Sequence, residues 1–209
     1  SYFVSDKVAS LLLGPFWNEA KEKGKKEKIA AMEVKSELML DFQKKVLFLQ
    51  SSNVLGMIEG TDKKDEYLVI TAHYDHLGKR GDVIYYGADD DGSGTVGVME
   101  IAEAFAKAKA AGKGPRRSIL FMTVSGEEKG LWGSEYFSDH PTIALDKITA
   151  NLNIDMIGRI DTERKLPDTK NYVYVVGDDK LSTDLKPISE AVNKQNTKLV
   201  LDYKFNDPN

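Results

Sequence analysis

The residues best suited to chemistry in this 209-residue chain are one imidazole and a set of carboxylates, spread over four short segments. His73-Tyr74-Asp75 follows the apolar run Tyr67 to Ala72, and Ser125-Gly126-Glu127-Glu128 follows the apolar run Ser118 to Val124. Asp155 follows an alternating stretch that ends at Ile154, and Asp89-Asp90-Asp91 sits among glycines from Gly87 to Gly94, just before a helical pattern. If the apolar runs are parallel strands, all four segments fall at one edge of a sheet. So many carboxylates in one small volume repel one another unless cations neutralise them. The pattern therefore points to a metal site. The chain has no cysteine, so the ligands must be His, Asp or Glu.

Each segment also has a plainer reading. A His at a strand end is often simply exposed, an Asp triplet can be a turn and helix N-cap, and adjacent Glu residues are common on helix surfaces. The combination favours the metal. His73 and Asp75 are two apart on an extended chain, so their side chains leave on one face, where the Asp75 carboxylate could take the second ring proton. Side chains of neighbours diverge in a strand, so one of Glu127 and Glu128 could bind metal while the other faces a substrate.

The elements that must position these residues can be read from periodicity. Beyond about Asn53 strands alternate with helices. The strands are Tyr67 to Ala72, Ser118 to Val124, Ile148 to Ile154, Tyr172 to Val176 and Leu199 to Phe205. The helices are Ser93 to Lys109, with Val96, Met99, Ala102, Phe105 and Ala106 on one face, and Leu181 to Val192. This order predicts an α/β three-layer sandwich: a mostly parallel central sheet with helices on both faces and ligands beyond the carboxyl ends of its strands. The sheet is expected still to be growing where the sequence stops, so truncation at the C-terminus is expected. Residues 1–50 read as a separate N-terminal segment and 51–209 as the main domain. In the former, Ser5 caps a short helix that Gly14-Pro15 stops, Lys21 to Lys28 is a solvated loop or helix end, and Met32 to Phe48 suggests two edge-type strands. A net charge of −4 with no basic stripe argues against a nucleic-acid partner, and no run of 18 apolar residues suggests a membrane span.

In order and spacing, His73-Tyr74-Asp75, Gly87 to Gly94, Glu127-Glu128 with Gly130 to Ser134, and Asn153-Ile154-Asp155-Met156 resemble the co-catalytic di-zinc aminopeptidase family, zinc exopeptidases that also include glutamate carboxypeptidase-type enzymes. The match covers roughly Asn53 to Gly158. The resemblance implies two zinc ions per complete domain and peptide substrates. His73 and Asp155 would bind one zinc, Asp90 would bridge both, and Glu128 would bind the other. Glu127 would be the general base, Asp75 would orient His73, and Asp91 would stand just behind the ligands. The segment Tyr2 to Phe48 is similar to the end of a protease-associated insert found in exported members, which implies an extracellular or periplasmic protein. Two relatives of the same fold are kept as alternatives: a catalytically inactive binding domain and a glutaminyl cyclase-like acyltransferase. The sequence departs from the family in one respect. The resemblance calls for a further His after Asp155, yet the only histidines are His73, His76 and His140. Neither His76, just past a strand end, nor His140, in a loop before Pro141, is expected to replace it. The second metal position is therefore expected to have Asp90 and Glu128 alone, and the chain to hold one zinc at most.

Overall fold

A computed structural model of the chain describes residues 3–24, 33–35, 37, 39, 41–165 and 170–206. It divides into two compact units, Ser1–Phe48 and Leu49–Asn209. The first unit contains two short helices. Helix α1, Asp6–Leu13, begins where the Ser5 hydroxyl accepts the Val8 N–H at 3.4 Å and ends at Gly14, whose φ of 56° suits glycine. Helix α2, Phe16–Lys23, follows at once, so Lys21 to Lys23 form a helix end, and residues 25–28 of the lysine-rich run lie outside the described residues. The edge-type strands expected between Met32 and Phe48 do not form among the described residues there. The partial alternation is present, but a strand needs a ladder partner, and Met39, Phe42, Leu47 and Phe48 are largely exposed instead.

In the second unit, the apolar runs become the centre of a four-stranded sheet. Its strands are β1 (Val54–Ile58), β2 (Lys63–His73), β5 (Arg117–Val124) and β6 (Ile148–Asn153), in the spatial order β1-β5-β2-β6. Strand β1 is antiparallel to β5, while β2 is parallel to both β5 and β6. The register matters more than the order. His73 pairs with Val124 and Thr71 with Asn153, so the carboxyl ends of β2, β5 and β6 finish side by side.

Both faces of the sheet are covered. Helix α3, Gly92–Ala110, lies on one, where Ile70, Ala72, Ile119 and Phe121 bury against Val98, with Ile101, Ala102 and Phe105 packed around them. Helix α4, Trp132–Asp139, lies on the other, its Phe137 buried among Val69, Leu120, Met122 and Val124. The buried stripe of α3 differs from the expected one: Val96 and Met99 are more than half exposed. The helix has apolar residues on more than one side, and the side facing the sheet is the one that begins with Gly94, where the helix start comes closest to the chain after β6.

Three further differences from the sequence reading are local. Strands β3 (Gly78–Arg80) and β4 (Val83–Tyr85) form a hairpin that the reading missed, although Gly81, with φ of 60°, and Asp82 are ordinary turn residues. Strands β7 (Tyr172–Tyr174) and β8 (Val200–Asp202) are shorter than expected. They pair in parallel with each other as a separate two-stranded sheet and, among the described residues, do not extend the central one. Helix α5, Leu185–Gln195, starts four residues late; Asn193 closes its exit by accepting the Leu199 N–H at 2.9 Å and donating to the Leu199 carbonyl at 2.8 Å.

Phe121 lies at the centre of the α3 side, 5% exposed and against Phe105 at 6.4 Å between ring centres. Phe121→Ala should cost about 3–5 kcal/mol, the usual toll for emptying an aromatic site in a packed core. Urea unfolding followed by circular dichroism measures it, and a loss under ~1 kcal/mol would mean that this face is not the core.

Candidate metal centre

Strand β2 delivers His73 and stops there. The ring is 3% exposed, on the α4 side of the sheet by strict alternation from Val69 and Thr71. Nδ1 lies 3.0 Å from the backbone carbonyl of Asp75, and a carbonyl can only accept. The Nδ1 proton is thereby placed, and Nε2 presents its lone pair to the open edge of the sheet. Three carboxylates stand there: Asp90 Oδ1 at 3.1 Å, Asp155 Oδ2 at 3.7 Å and Glu127 Oε2 at 3.9 Å. Asp75 thus orients His73, but through its backbone. Its carboxylate, 3.6 Å from Nδ1, does something else: Oδ1 accepts the Glu127 N–H at 3.1 Å and Oδ2 the Glu128 N–H at 3.4 Å. The expected use of that carboxylate on the ring proton is corrected accordingly. The chain leaves the strand after His73, so two-residue alternation no longer governs Asp75.

The Asp75 carboxylate grips a turn. Strand β5 ends at Val124, Gly126 takes φ of 77°, and Glu127–Lys129 form one 3-10 turn. The divergence of Glu127 and Glu128 was expected from strand geometry; the turn produces it instead. Glu127 is directed at His73 and Asp155, and Glu128 at His76, whose Nδ1 is 2.7 Å from Glu128 Oε1.

The three aspartates of the glycine-rich loop have separate tasks. Asp91 is the N-cap of α3: its Oδ1 accepts the Gly94 N–H at 2.9 Å and the Met156 N–H at 3.2 Å, and its Oδ2 accepts the His73 N–H at 3.2 Å. Asp89 Oδ1 accepts the Gly158 N–H at 2.8 Å and the Ser93 hydroxyl at 3.3 Å. The outer two hold backbone. The middle one, Asp90, turns Oδ1 toward His73 and Oδ2 toward His76, at 3.1 and 3.9 Å.

Two groups of ligand atoms result, each drawn together within 4.8 Å: His73, Asp90 and Asp155, and His76, Asp90 and Glu128. All six residues singled out from the sequence are brought to one place. His76, which was not expected to serve as a ligand, stands beside Asp90 and Glu128 in the second group. It lies past the strand end, where the chain turns back under Gly87, whose missing Cβ leaves room for it. His140 belongs to neither group and packs its ring on Tyr136, 4.7 Å between centres. A cleft of about 370 Å³ opens beside the first group, with His73, Glu127, Leu131, Phe137, Asn153 and Asp155 in its wall.

The electrostatics are those of a crowded anionic site. Burial and the Asp155 carboxylate push Asp91 up to about 6. Burial raises Asp155 and Glu127, helped by neighbouring carboxylates and opposed by His73. For His73 burial works downward, but the Asp75 carbonyl and the charges of Asp91, Asp155 and Glu127 outweigh it and the group is raised. Oxygen and imidazole donors in this number, with no cation among them, suit a divalent ion such as zinc.

Residues 53–208, three-quarters of the chain and all of this site, match the sequence pattern of peptidase family M28. The chain belongs to that family. Among similar proteins, a probable zinc metalloprotease of Leptosphaeria maculans is 34% identical over 118 residues, 54% of this chain and 26% of its own length. A probable glutamate carboxypeptidase of Arabidopsis thaliana is 34% identical over 119 residues, 56% of this chain and 16% of its own. The solved structure of a zinc aminopeptidase from Bacillus subtilis superposes with a TM-score of 0.52 at 26% identity, over 68% of this chain and 32% of that one. The chain thus spans about a quarter of the length of the first fungal relative and a third of that aminopeptidase.

The shifts make a prediction about pH. An acid raised from 3.8 to about 6, as Asp91 is, binds its proton more tightly in the folded state. Its share of stability therefore falls as pH rises from about 4 to about 6, by roughly 3 kcal/mol. His73, raised above 6.5, has the same sign: its contribution is complete below pH 6.5 and is lost as pH climbs through the folded value. In chelator, Tm should fall between pH 5 and 7.5. With zinc in excess the slope should reverse, because these ligands bind metal only when deprotonated. Equal slopes with and without zinc would exclude the site as the cause.

Proposed function

We propose that the chain is the metal-binding part of a zinc-dependent exopeptidase, most specifically an aminopeptidase that removes N-terminal residues from peptides. One observation carries this reading: the Asp90 carboxylate stands between two groups of ligand atoms, one oxygen turned to each. A carboxylate so placed could be shared by two ions. His73, Asp90 and Asp155 would hold one zinc, and Asp90 with Glu128 would contribute to the other. Zinc bound there lowers the pKa of a coordinated water and polarises a carbonyl.

The chain's own residues set up the rest. Glu127 is tied at its backbone by Asp75, and its side chain lines the cleft. Burial and its acidic neighbours raise its proton affinity, which suits a general base that takes a proton from water and returns it to the leaving amine. The Asp75 carbonyl keeps His73 in one tautomer, and Asp91 fixes its backbone. Leu131 and Phe137 give the cleft an apolar wall that can take a peptide side chain.

Aminopeptidase is preferred over carboxypeptidase on the similarity to the Bacillus subtilis enzyme. The glutamate carboxypeptidase relatives make the opposite polarity the outcome to test against. The same reading places the protein in an extracellular or periplasmic space, on the resemblance to exported members alone. Aminoacyl p-nitroanilides and N-blocked peptides ending in Glu, offered to the protein that carries this chain, separate the two polarities. Hydrolysis of the blocked peptides alone would overturn the aminopeptidase assignment. Glu127→Gln should keep its zinc and lose turnover by at least ~10²–10⁴. Near-normal turnover, or loss of zinc, would remove Glu127 from the role of base.

A further inference from the structure

The loop that carries Glu127 and Glu128 is held at its neck by a side chain that the metal centre leaves unused. Building on the reading of Glu127 as general base, we infer that Asn53 is a positioning residue for both glutamates, a single amide that ties together the two ends of their loop.

The loop is closed by its own backbone. The Trp132 N–H donates to the Gly126 carbonyl at 3.1 Å and the Leu131 N–H to the Glu127 carbonyl at 3.0 Å, so residues 126–132 leave and return at one point. Ser125 and Gly133 flank that point. Asn53 Oδ1 accepts the Ser125 N–H at 3.2 Å, and Asn53 Nδ2 donates to the Gly133 carbonyl at 2.7 Å. The neck thus presents a donor on one side and an acceptor on the other. A primary amide answers both; Asp lacks the donor and Leu lacks both groups.

The sheet brings Asn53 to this place. Strand β1 runs antiparallel to β5, and its first residue, Val54, pairs with Thr123 near the end of β5. The residue before β1 therefore arrives at the carboxyl edge, level with the chain that leaves β5 for the loop. Its approach is fastened too. Tyr74, between His73 and Asp75, donates its hydroxyl to the Ser52 carbonyl at 2.6 Å, and the Ser51 hydroxyl donates to that of Ser125 at 2.7 Å.

Gly133 completes the fit. A Cβ there would fall 2.4 Å from Asn53 Oδ1 and 2.4 Å from the Ser125 carbonyl oxygen, so the neck closes around a glycine. Asp75 holds the Glu127 and Glu128 N–H groups within the loop, while Asn53 holds the loop to the start of β1.

The test pairs Asn53→Leu with Ser118→Ala. The latter removes a brace of the same kind at the far end of β5, where the Ser118 hydroxyl accepts the Gly60 N–H at 3.0 Å and donates to the Lys64 carbonyl at 2.6 Å. Backbone hydrogen exchange is read by mass spectrometry on each variant. Turnover is read in the protein that carries this chain, on whichever of the two substrate classes it hydrolyses. Asn53→Leu should speed exchange across residues 126–132 and not in β2. It should lower kcat by roughly 10–100-fold, the usual effect of removing support from behind a ligand or base, with KM within about twofold. Asn53→Asp, which keeps the acceptor and the shape, should fall between, and it takes the place of Asn53→Leu if that variant does not fold. Ser118→Ala should lose stability and keep kcat. Unchanged exchange over residues 126–132 in a folded Asn53 variant would overturn the inference, whatever the activity. So would a kcat loss in Ser118→Ala equal to that in Asn53→Leu, which would make the effect one of stability alone. Both outcomes leave the assignment of Glu127 standing, because that falls on the turnover and zinc content of Glu127→Gln.

Discussion

The site depends on one buried carboxylate that the chemistry itself does not use. Asp91, 1% exposed, takes a backbone N–H from the end of β2, from the first turn of α3 and from the loop after β6. These segments are distant in sequence and carry His73, the glycine-rich loop and Asp155. A buried anion without such donors would be strongly unfavourable; three donors make it a clamp. Its shift to about 6 shows that the donors do not fully offset its burial and the charge of Asp155. Part of the cost of assembling the centre is thus carried in its foundation.

The ligands extend the same economy of parts. The sheet register brings three strand ends level, and the short reach of Asp and Glu from those ends leaves little freedom in where their oxygens fall. Asp75 takes two roles with different atoms: a carbonyl sets the tautomer of His73, and a carboxylate fixes the turn that presents Glu127 and Glu128. Removing the side chain would therefore disturb the base and a ligand more than the histidine it was expected to orient.

The central strands, α3 and the convergence of His73, Asp90, Glu127, Glu128 and Asp155 were legible because apolar runs ending in polar residues are one-dimensional signals. What failed was three-dimensional. The buried stripe of α3 was misassigned because Val96 and Met99 satisfy helical spacing as well as Val98 does, and only the close approach at Gly94 selects between them. Strands β7 and β8 were recognised as strands, but hydropathy does not say which sheet a strand joins. His76 was set aside as a residue just past a strand end, and the loop path that brings it beside Asp90 and Glu128 leaves no periodic signal in the sequence. The signal that could have recovered it is Gly87, a glycine in the segment that must pass over the histidine.

The Asp91 clamp binds amides and not side chains. Every residue except proline supplies an amide N–H, so positions 94 and 156 meet the clamp's electrostatic requirement whatever side chain they bear. Steric limits remain: a Cβ at 94 would collide with Asp91 itself and with the Ile154 carbonyl, and Met156, at φ of 52°, occupies a region where few side chains are comfortable. The two positions are thus constrained by shape and backbone angle while being indifferent to chemical character. A different side chain at the exposed Met156 would change the surface there while leaving the amide that Asp91 holds in place.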